Sequence, residues 1–111
     1  MDISISSHVL NLDAGGPASG VQLLLSMQWG VQYVELEQAT TDADGRAGRW
    51  QIQIEPGTAL RLQFATGAWY EAQGQTAFYP QAQVDFVPGE AGHYHIPLLL
   101  NRHGYSTYRG S

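Results

Sequence analysis

Apolar side chains recur at every second position in a series of short segments along this chain, and turn-forming residues separate the segments. Residues 3–10 place Ile3, Ile5 and Val9 on one face, and residues 21–28 repeat the pattern. Side chains of a β-strand point alternately to two faces, so this spacing predicts strands with one face in a core. Seven or eight short strands with a single helical candidate predict an all-β sandwich.

Glycine, proline and aspartate mark the breaks between the predicted strands. Asp44-Gly45 is a strong hairpin signal. Residues 67–74, about two turns between glycines, are the only helical candidate. Pro97 lies inside the seventh predicted strand, where proline cannot donate a ladder hydrogen bond. It predicts either a bulge or an unpaired edge position.

Length and charge exclude several classes of protein. A chain of 111 residues is expected to form one domain, residues 1–111. The formal net charge is −5 and only five Lys and Arg are present, which argues against a nucleic-acid partner. With no cysteine, disulfides, thiolate metal ligands and a cysteine nucleophile are all excluded.

The apolar segments are too short for a membrane span, which needs roughly 18 apolar residues. We therefore expect no membrane partner. No positively charged start precedes an apolar segment, so no signal peptide is apparent. A cytoplasmic location is expected, or a periplasmic one if a signal peptide has been removed.

Three titratable residues stand out as candidates for chemistry. His8 and His95 fall on strand faces opposite the main apolar side chains, and Arg46 follows a tight turn. Two imidazoles can share proton transfer near neutral pH. A guanidinium supplies fixed charge and a planar donor fork for a carbonyl or an anion. With no Gly-x-Ser-x-Gly elbow, a histidine-activated water is the simplest hydrolytic scheme.

Each candidate also has a simpler interpretation. A lone histidine on a strand is more often structural or exposed, and Arg46 alone is more often a solvated turn residue. His93 and His95, together with His8 or His103, form an alternative zinc-ligand set. No neighbouring carboxylate or thiolate signature supports it, so we expect no metal and no cofactor.

Six motifs occur in one order and at one spacing, and they end with the last residue of the chain. They are His8-Val9-Leu10, Gly16-Pro17-Ala18, Asp44-Gly45-Arg46, Phe78-Tyr79-Pro80, residues 93–100 and residues 105–111. Together they closely resemble the transthyretin-related family of 5-hydroxyisourate hydrolases, over essentially the whole chain. The terminal Tyr-Arg-Gly-Ser sequence is the most specific of them.

The resemblance implies a transthyretin-like sandwich of two four-stranded sheets with one short helix. It implies a homotetramer, a dimer of dimers, with active sites in the channel between the dimers. The implied substrate is 5-hydroxyisourate, an intermediate of urate catabolism. The implied reaction is its hydrolysis to 2-oxo-4-hydroxy-4-carboxy-5-ureidoimidazoline.

The resemblance also implies which residues act. The catalytic residues are then His8, Arg46, His95 and Ser111, and the substrate-binding residues are His8, Arg46, His95, Tyr108, Arg109, Gly110 and Ser111. One histidine takes a proton from water, and the other orients the water or protonates the leaving nitrogen. Arg46 stabilises the oxyanion, Tyr108 packs on or hydrogen-bonds to the substrate ring, and the tail helps to hold the water through Ser111.

The chain departs from the family at two places outside these residues. Tyr79 stands where phenylalanine is common, and residues 101–103 replace a segment that often carries Ser-Pro.

Two other functions are compatible with the same fold. A transthyretin-like carrier binds a small hydrophobic ligand in the central channel and needs no proton donors. A structural module of a secreted assembly predicts a free monomer. This chain retains the catalytic set, which favours the enzyme over both.

Overall fold

Nine β-strands and one short α-helix make up the regular structure, and the computed structural model describes every residue from 1 to 111. The predicted alternating segments form strands. The strands are β1 (Asp2–Asn11), β2 (Gly16–Pro17), β3 (Gln22–Trp29), β4 (Gln32–Thr40), β5 (Arg46–Gln53), β6 (Leu60–Phe64), β7 (Ala82–Phe86), β8 (Gly92–Asn101) and β9 (Gly104–Thr107), and the helix is α1 (Thr66–Glu71).

The strands form two sheets. In the first sheet the order is β5-β1-β8-β9, and the two-residue β2 also pairs with β1. In the second sheet the order is β4-β3-β6-β7. Only β1 and β8 run parallel. The expected sandwich of two four-stranded sheets with one short helix is confirmed, and β2 is an addition to it.

The inner faces of the two sheets meet in an apolar core. β1 contributes Ile3, Ile5 and Val9 to it, as the alternation predicts. Full burial of one such side chain contributes roughly 1.5–3 kcal/mol. Ser7 lies on the same face of β1, and its hydroxyl donates to the carbonyl oxygen of Ile96 at 2.7 Å. Other buried members of the core are Leu23, Leu25, Leu60, Leu62, Phe64, Tyr94, Ile96, Leu98 and Leu100.

The Asp44-Gly45 turn joins strands of different sheets. It connects β4, at the edge of the second sheet, with β5, which pairs with β1 in the first sheet. The hairpin prediction for Asp44-Gly45 is therefore wrong. A tight turn determines the local reversal of the chain, whereas the pairing partner depends on which apolar faces meet in the core.

Pro97 pairs in register with His8 of β1 and lies one position outside the pairing of β8 with β9, which begins at Leu98. The register of β8 shows no bulge there, and β8 lies between β1 and β9, so neither predicted alternative is correct: Pro97 is paired toward β1 and unpaired only toward β9. The carbonyl oxygen of Pro97 accepts from Thr107 Oγ1 at 2.7 Å and therefore points toward β9. A backbone N–H at Pro97 would point the same way, beyond Thr107, the last residue of β9. No ladder hydrogen bond is lost.

The helix α1 is shorter than predicted, six residues beginning at Thr66. No helix in the structure has the length and apolarity that crossing a membrane requires.

Tyr70 anchors α1 to two turns of the first sheet. It is buried, and its hydroxyl donates to Asp13 Oδ2 at 3.1 Å. The backbone N–H of Arg102 donates to the same oxygen at 3.1 Å. Burial, followed by the hydrogen bond and the charge of Asp13, raises the pKa of Tyr70 to about 12. One phenol and one carboxylate therefore connect the β1–β2 turn, the β8–β9 turn and the helix.

The raised pKa predicts a loss of stability at alkaline pH. A phenol with a pKa near 10 when unfolded and about 12 when folded stabilises the protein fully below pH 10, and this stabilisation is lost as the pH rises through 12. We expect the free energy of unfolding to fall over that range, and one tyrosine to ionise late when absorbance near 295 nm is followed. Tyr70→Phe should remove the late step. A late step that persists in this variant would contradict the prediction.

Candidate active site

The outer face of the first sheet carries polar side chains from three neighbouring strands. In the parallel pairing of β1 with β8, Ser6 lies opposite His95 and His8 lies opposite Pro97. In the antiparallel pairing of β1 with β5, His8 lies opposite Arg46. Directly opposed residues share a face of the sheet. The register therefore brings His8, Arg46 and His95 to adjacent positions, although 87 residues separate the two histidines in the sequence.

The turn before β5 holds the backbone of Arg46. Asp42 Oδ1 accepts from the backbone N–H groups of Asp44, at 2.8 Å, and Arg46, at 3.0 Å. Gly45 has φ +77°, and a Cβ built on it would lie 2.5 Å from the carbonyl oxygen of Val9. Only glycine fits this conformation and this close approach. The Asp-Gly-Arg sequence thus places the arginine at the start of β5, beside His8.

The side chain of Arg46 is free to meet a substrate. It is exposed and forms no ion pair, since the ion pair of the chain joins Arg61 with Asp85 on the second sheet. A guanidinium without a carboxylate partner keeps its planar donors available for a carbonyl oxygen or an anion.

A backbone carbonyl determines the tautomer of His8. Its Nε2 lies 2.8 Å from the carbonyl oxygen of Asp44. A carbonyl oxygen only accepts hydrogen bonds, so Nε2 carries the hydrogen. In the neutral ring, Nδ1 is then the nitrogen with a free lone pair, and it can orient a water molecule by accepting from it.

His95, like His8, is partly buried. Its Nδ1 lies 2.8 Å from Ser6 Oγ, which leaves Nε2 for a substrate or a water. Partial burial holds the pKa of His95 below its usual value of 6.5. The charge of Arg46, and the nearby His8 and His93 rings, lower this pKa further. A neutral imidazole near pH 7 is the form that a general base requires.

The C-terminal tail passes directly over His95. The backbone N–H of Gly110 donates to the carbonyl oxygen of His95 at 2.9 Å. A Cβ built on Gly110 would lie 2.7 Å from His95 Cδ2, so glycine is required for this contact as well. Ser111 follows and is exposed. The tail is thereby attached to the same site as the two histidines and Arg46.

Tyr108 and Arg109 lie at the edge of the sandwich within one chain. The guanidinium carbon of Arg109 lies 4.9 Å from the centre of the Tyr94 ring. Tyr108 and Arg109 line a cavity of about 200 Å³ with Val84 and Phe86 of β7, so this cavity lies between the two sheets. The structure therefore brings Gly110 to His95, and it places the side chains of Tyr108 and Arg109 against the sheet edge.

An open cavity of about 420 Å³ adjoins the site, and most of its lining residues are not among the site residues predicted from the sequence. Arg46 and His95 line it together with Ser6, Asp42 and Arg49. His8 does not line this cavity. Arg49 has φ +74°, unusual for a residue with a side chain, and lies where the register of β5 against β1 shifts. The preceding Gly48 was the available signal for this bulge.

His93 and His95 contact serine hydroxyls rather than a third metal ligand. His93 Nδ1 lies 2.6 Å from Ser4 Oγ, and its Nε2 lies 2.9 Å from Ser6 Oγ. No group of three or more histidine, cysteine, aspartate or glutamate side chains is arranged to hold a metal ion. The pairing of Ser4 and Ser6 with the histidines depends on the register between β1 and β8, which could not be predicted from the sequence pattern.

The fold and this site define a transthyretin-like β-sandwich with two imidazoles and an unpaired guanidinium on one outer face. The sequence pattern of the HIUase/Transthyretin family matches residues 5–110. A probable 5-hydroxyisourate hydrolase of Caenorhabditis elegans is 40% identical over 112 residues, which cover 97% of this chain and 82% of that protein. The chain belongs to the HIUase/Transthyretin family.

Two solved structures are similar over nearly the full length. The 5-hydroxyisourate hydrolase of Klebsiella pneumoniae superimposes with a TM-score of 0.80 at 35% identity, covering 97% of this chain and 99% of that one. Sea bream transthyretin in complex with thyroxine superimposes with a TM-score of 0.88 at 29% identity, covering 96% of this chain and 93% of that one. The resemblance read from the sequence motifs is confirmed.

Proposed function

We propose that this chain is a 5-hydroxyisourate hydrolase whose active site is the outer face of the first sheet around His8, Arg46 and His95. The observation that carries the proposal is the convergence of these three residues with the tail at Gly110. Relatives named as 5-hydroxyisourate hydrolases, at 36–40% identity over nearly the whole chain, supply the substrate. The product is 2-oxo-4-hydroxy-4-carboxy-5-ureidoimidazoline.

His95 acts as the general base in this mechanism. Its neutral ring takes a proton through Nε2 as water attacks the ring carbonyl of the substrate. His8 orients that water through Nδ1, because its Nε2 is held by the carbonyl oxygen of Asp44. His95 then donates this proton to the leaving nitrogen as the ring opens. The proton taken up when water adds to the carbonyl is therefore returned in the second step.

Arg46 and the tail complete the site. The guanidinium of Arg46 donates to the oxyanion that forms on the attacked carbonyl, a contribution of about 3 kcal/mol to lowering the barrier. Gly110 holds the tail against His95, and Ser111 is the residue next in position to hold the water. Tyr108 and Arg109 are the remaining substrate-binding residues in this proposal, and within one chain they line the cavity at the sheet edge.

The enzyme works as a homotetramer, a dimer of dimers, in this proposal. β7 and β9 are unpaired edges of the two sheets on the same side of the sandwich, a surface that a second copy can extend by strand pairing. Exposed aromatic side chains flank that side, among them Phe78, Tyr105 and Tyr108. A second dimer packs over the outer face around His95 and makes the open cavity there part of a channel between the dimers.

Light scattering coupled to size-exclusion chromatography tests the assembly. A single species of four times the mass of one chain is expected. A monomer at micromolar concentration would rule out the tetramer and leave the site open to solvent.

The assay that tests the function adds purified protein to freshly prepared 5-hydroxyisourate and follows the decay of its absorbance. Decay faster than the spontaneous reaction, and proportional to protein concentration, is expected. Decay at the spontaneous rate with folded tetramer would reject the proposal.

A transthyretin-like carrier is the rival function, and the similarity to sea bream transthyretin bound to thyroxine favours it over other non-enzymatic functions. A carrier is expected to bind thyroxine in the channel and to leave 5-hydroxyisourate at its spontaneous rate of decay. The charged and titratable residues of the site argue against it, since they leave little apolar surface for a hydrophobic ligand.

The lowered pKa of His95 predicts how the rate depends on pH. Because the free base persists below pH 6.5, kcat/KM should fall on the acidic side with a midpoint below 6.5. Arg46→Gln removes one of the charges that lowers this pKa, so the acidic midpoint of the remaining activity should move to higher pH. A pH titration of the His95 ring followed by proton NMR, without substrate, should show the same lowered pKa and the same rise of this pKa in Arg46→Gln. A midpoint at or above 6.5 in the unsubstituted protein would contradict the prediction.

A further inference from the structure

Two serines and two histidines form a continuous line of hydrogen bonds that leads from the site to solvent. Ser4 Oγ lies 2.6 Å from His93 Nδ1, and Ser6 Oγ lies 2.9 Å from His93 Nε2. Ser6 Oγ also lies 2.8 Å from His95 Nδ1. The four residues alternate between β1 and β8 in parallel register on the outer face of the first sheet. We refer to them as the Ser–His chain.

A proton can pass along the Ser–His chain only when all of its links run in the same direction. A neutral imidazole donates through one nitrogen and accepts through the other, and a hydroxyl has one hydrogen to donate. In one such arrangement His95 Nδ1 donates to Ser6, Ser6 donates to His93 Nε2 and His93 Nδ1 donates to Ser4. His95 Nε2 then has a free lone pair, as a base requires. In the reverse direction His95 Nε2 carries a hydrogen, as an acid requires.

We propose that Ser6 and His93 are positioning residues that hold His95 in its base form and conduct the proton it takes up away from the site. This inference rests on the proposed function. Neither residue contacts the reacting atoms, and both act through the ring of His95.

The proton balance of the step is closed. A proton from the attacking water binds His95 Nε2, and the Nδ1 hydrogen passes to Ser6. The Ser6 hydrogen passes to His93 Nε2, and the imidazolium of His93 then holds the charge. When the leaving nitrogen needs a proton, the same transfers run backwards and restore the starting arrangement. No oxidant, reductant or further reactant takes part.

The surroundings of His95 disfavour a positive charge on its ring. Arg46 and Arg49 of β5 line the cavity at His95, and His8 lies on β1 beside it. Asp42 is the carboxylate that lines the same cavity. Partial burial first, and then the charge of Arg46 and the nearby His8 and His93 rings, lower the pKa of His95.

The other end of the Ser–His chain, at His93 and Ser4, is open to solvent and lies near Asp2. His93 is exposed and lines a cavity of about 640 Å³ together with Ser4 and Asp2. The other polar side chains of that cavity, Gln51 and Gln53, carry no charge. The two ends of the Ser–His chain therefore differ: His93 lies beside solvent and Asp2, whereas His95 is partly buried beside Arg46.

The kinetic test uses the full-length tetramer with Ser6→Ala and His93→Gln. Each variant is expected to lower kcat about tenfold and to change KM by no more than about twofold. The loss in kcat should be smaller than the contribution of general acid–base catalysis itself, about 100-fold or more. Ser6→Thr keeps the hydroxyl and should retain kcat. Ser19→Ala and His103→Gln, in exposed turns outside the site, are matched controls that should behave like the unsubstituted protein.

Chemical rescue separates conduction from a structural role. Added imidazole can enter the open cavity and accept the proton in place of His93. It should restore most of the kcat lost in His93→Gln, after subtraction of the decay it causes without protein. It should not restore His95→Ala to a comparable extent. A loss of kcat in His93→Gln that imidazole leaves unchanged would overturn conduction, and unchanged kcat in Ser6→Ala would overturn the whole inference.

A measurement without substrate distinguishes failure of this inference from failure of the proposed function. The ¹⁵N chemical shifts of the His95 ring report which nitrogen carries the hydrogen. We expect protonated Nδ1 in the unsubstituted protein, and a change of tautomer in Ser6→Ala and in His93→Gln. Shifts that are identical in all three proteins would overturn the Ser–His chain, whatever the activity. A protein with the expected shifts but no ring-opening activity would instead reject the proposed function.

Discussion

Replacing Arg46 with lysine is expected to lower kcat/KM for 5-hydroxyisourate about 100-fold, equivalent to about 3 kcal/mol of transition-state stabilisation. Lysine keeps the charge but loses the planar fork of donors, and an ammonium group reaches an oxyanion as a single point charge. Arg46 forms no ion pair and begins β5 opposite His8, so its removal leaves no partner unpaired. The loss should therefore appear in the rate, with the free energy of unfolding nearly unchanged. Steady-state kinetics and urea denaturation measure the two quantities.

Arg61→Lys is the matched control for that prediction. Arg61 lies on the second sheet, where it pairs with Asp85 at 2.8 Å and stacks on Tyr33. This variant should hydrolyse the substrate at the unsubstituted rate. If Arg46→Lys also retains the full rate, the guanidinium is not the oxyanion donor, and the mechanism proposed for this site fails.

Gly110→Ala is expected to lower kcat about 100-fold while leaving the fold intact. The substitution releases the tail from His95, and a displacement of about 1 Å in an active site can cost about 100-fold in rate. The added Cβ would lie 2.7 Å from His95 Cδ2 and 3.1 Å from both the Cβ and the carbonyl oxygen of His95. His95 belongs to a central strand, so it is the tail that moves away. The hydrogen bond from Gly110 to His95 is then lost, at a cost of about 1 kcal/mol in stability. Enzyme kinetics and thermal denaturation measure the two effects.

Gly104→Ala is the control for the tail. Gly104 begins β9, and a Cβ built on it meets nothing within 4 Å. Its activity should match that of the unsubstituted protein. Deletion of residues 108–111 provides a second variant, which should be as inactive as Gly110→Ala and remain folded. Full turnover by the deletion variant would remove the tail from the mechanism.

The strand faces were predictable from the sequence because alternation is a local property. Ile3, Ile5 and Val9 face the core wherever β1 lies in the sheet, since burial of one face is required for any sandwich. The same reasoning places His8 and His95 on outer faces. Alternation does not reveal that these two faces belong to one sheet. The wrong hairpin prediction at Asp44-Gly45 has the same cause, because the turn is a local feature whereas β5 pairs with β1, which is distant in the sequence.

The geometry of the candidate site depends on contacts between distant residues. Ser6 lies 87 positions before His93 and 89 before His95, and both contacts are shorter than 3 Å. A shift of the β1–β8 register by one residue would send Ser6 to the core and remove them. No pattern in the sequence marks Ser4 or Ser6 as partners of a histidine, because serine is equally common in exposed strands with no such role.

The amino-acid sequence by itself determined the all-β class, the side chains that enter the core, and the presence of two imidazoles, a guanidinium and a Tyr-Arg-Gly-Ser tail. Only the tertiary structure decided that β5 crosses to pair with β1, that β1 and β8 run side by side, and that Gly110 rests on His95. The physical reason is that hydrophobic alternation is encoded every two residues. Strand pairing and register instead depend on which apolar faces pack together in the core, and the tautomers depend on the hydrogen-bond partners that this packing supplies. Both therefore involve residues that are distant in the sequence.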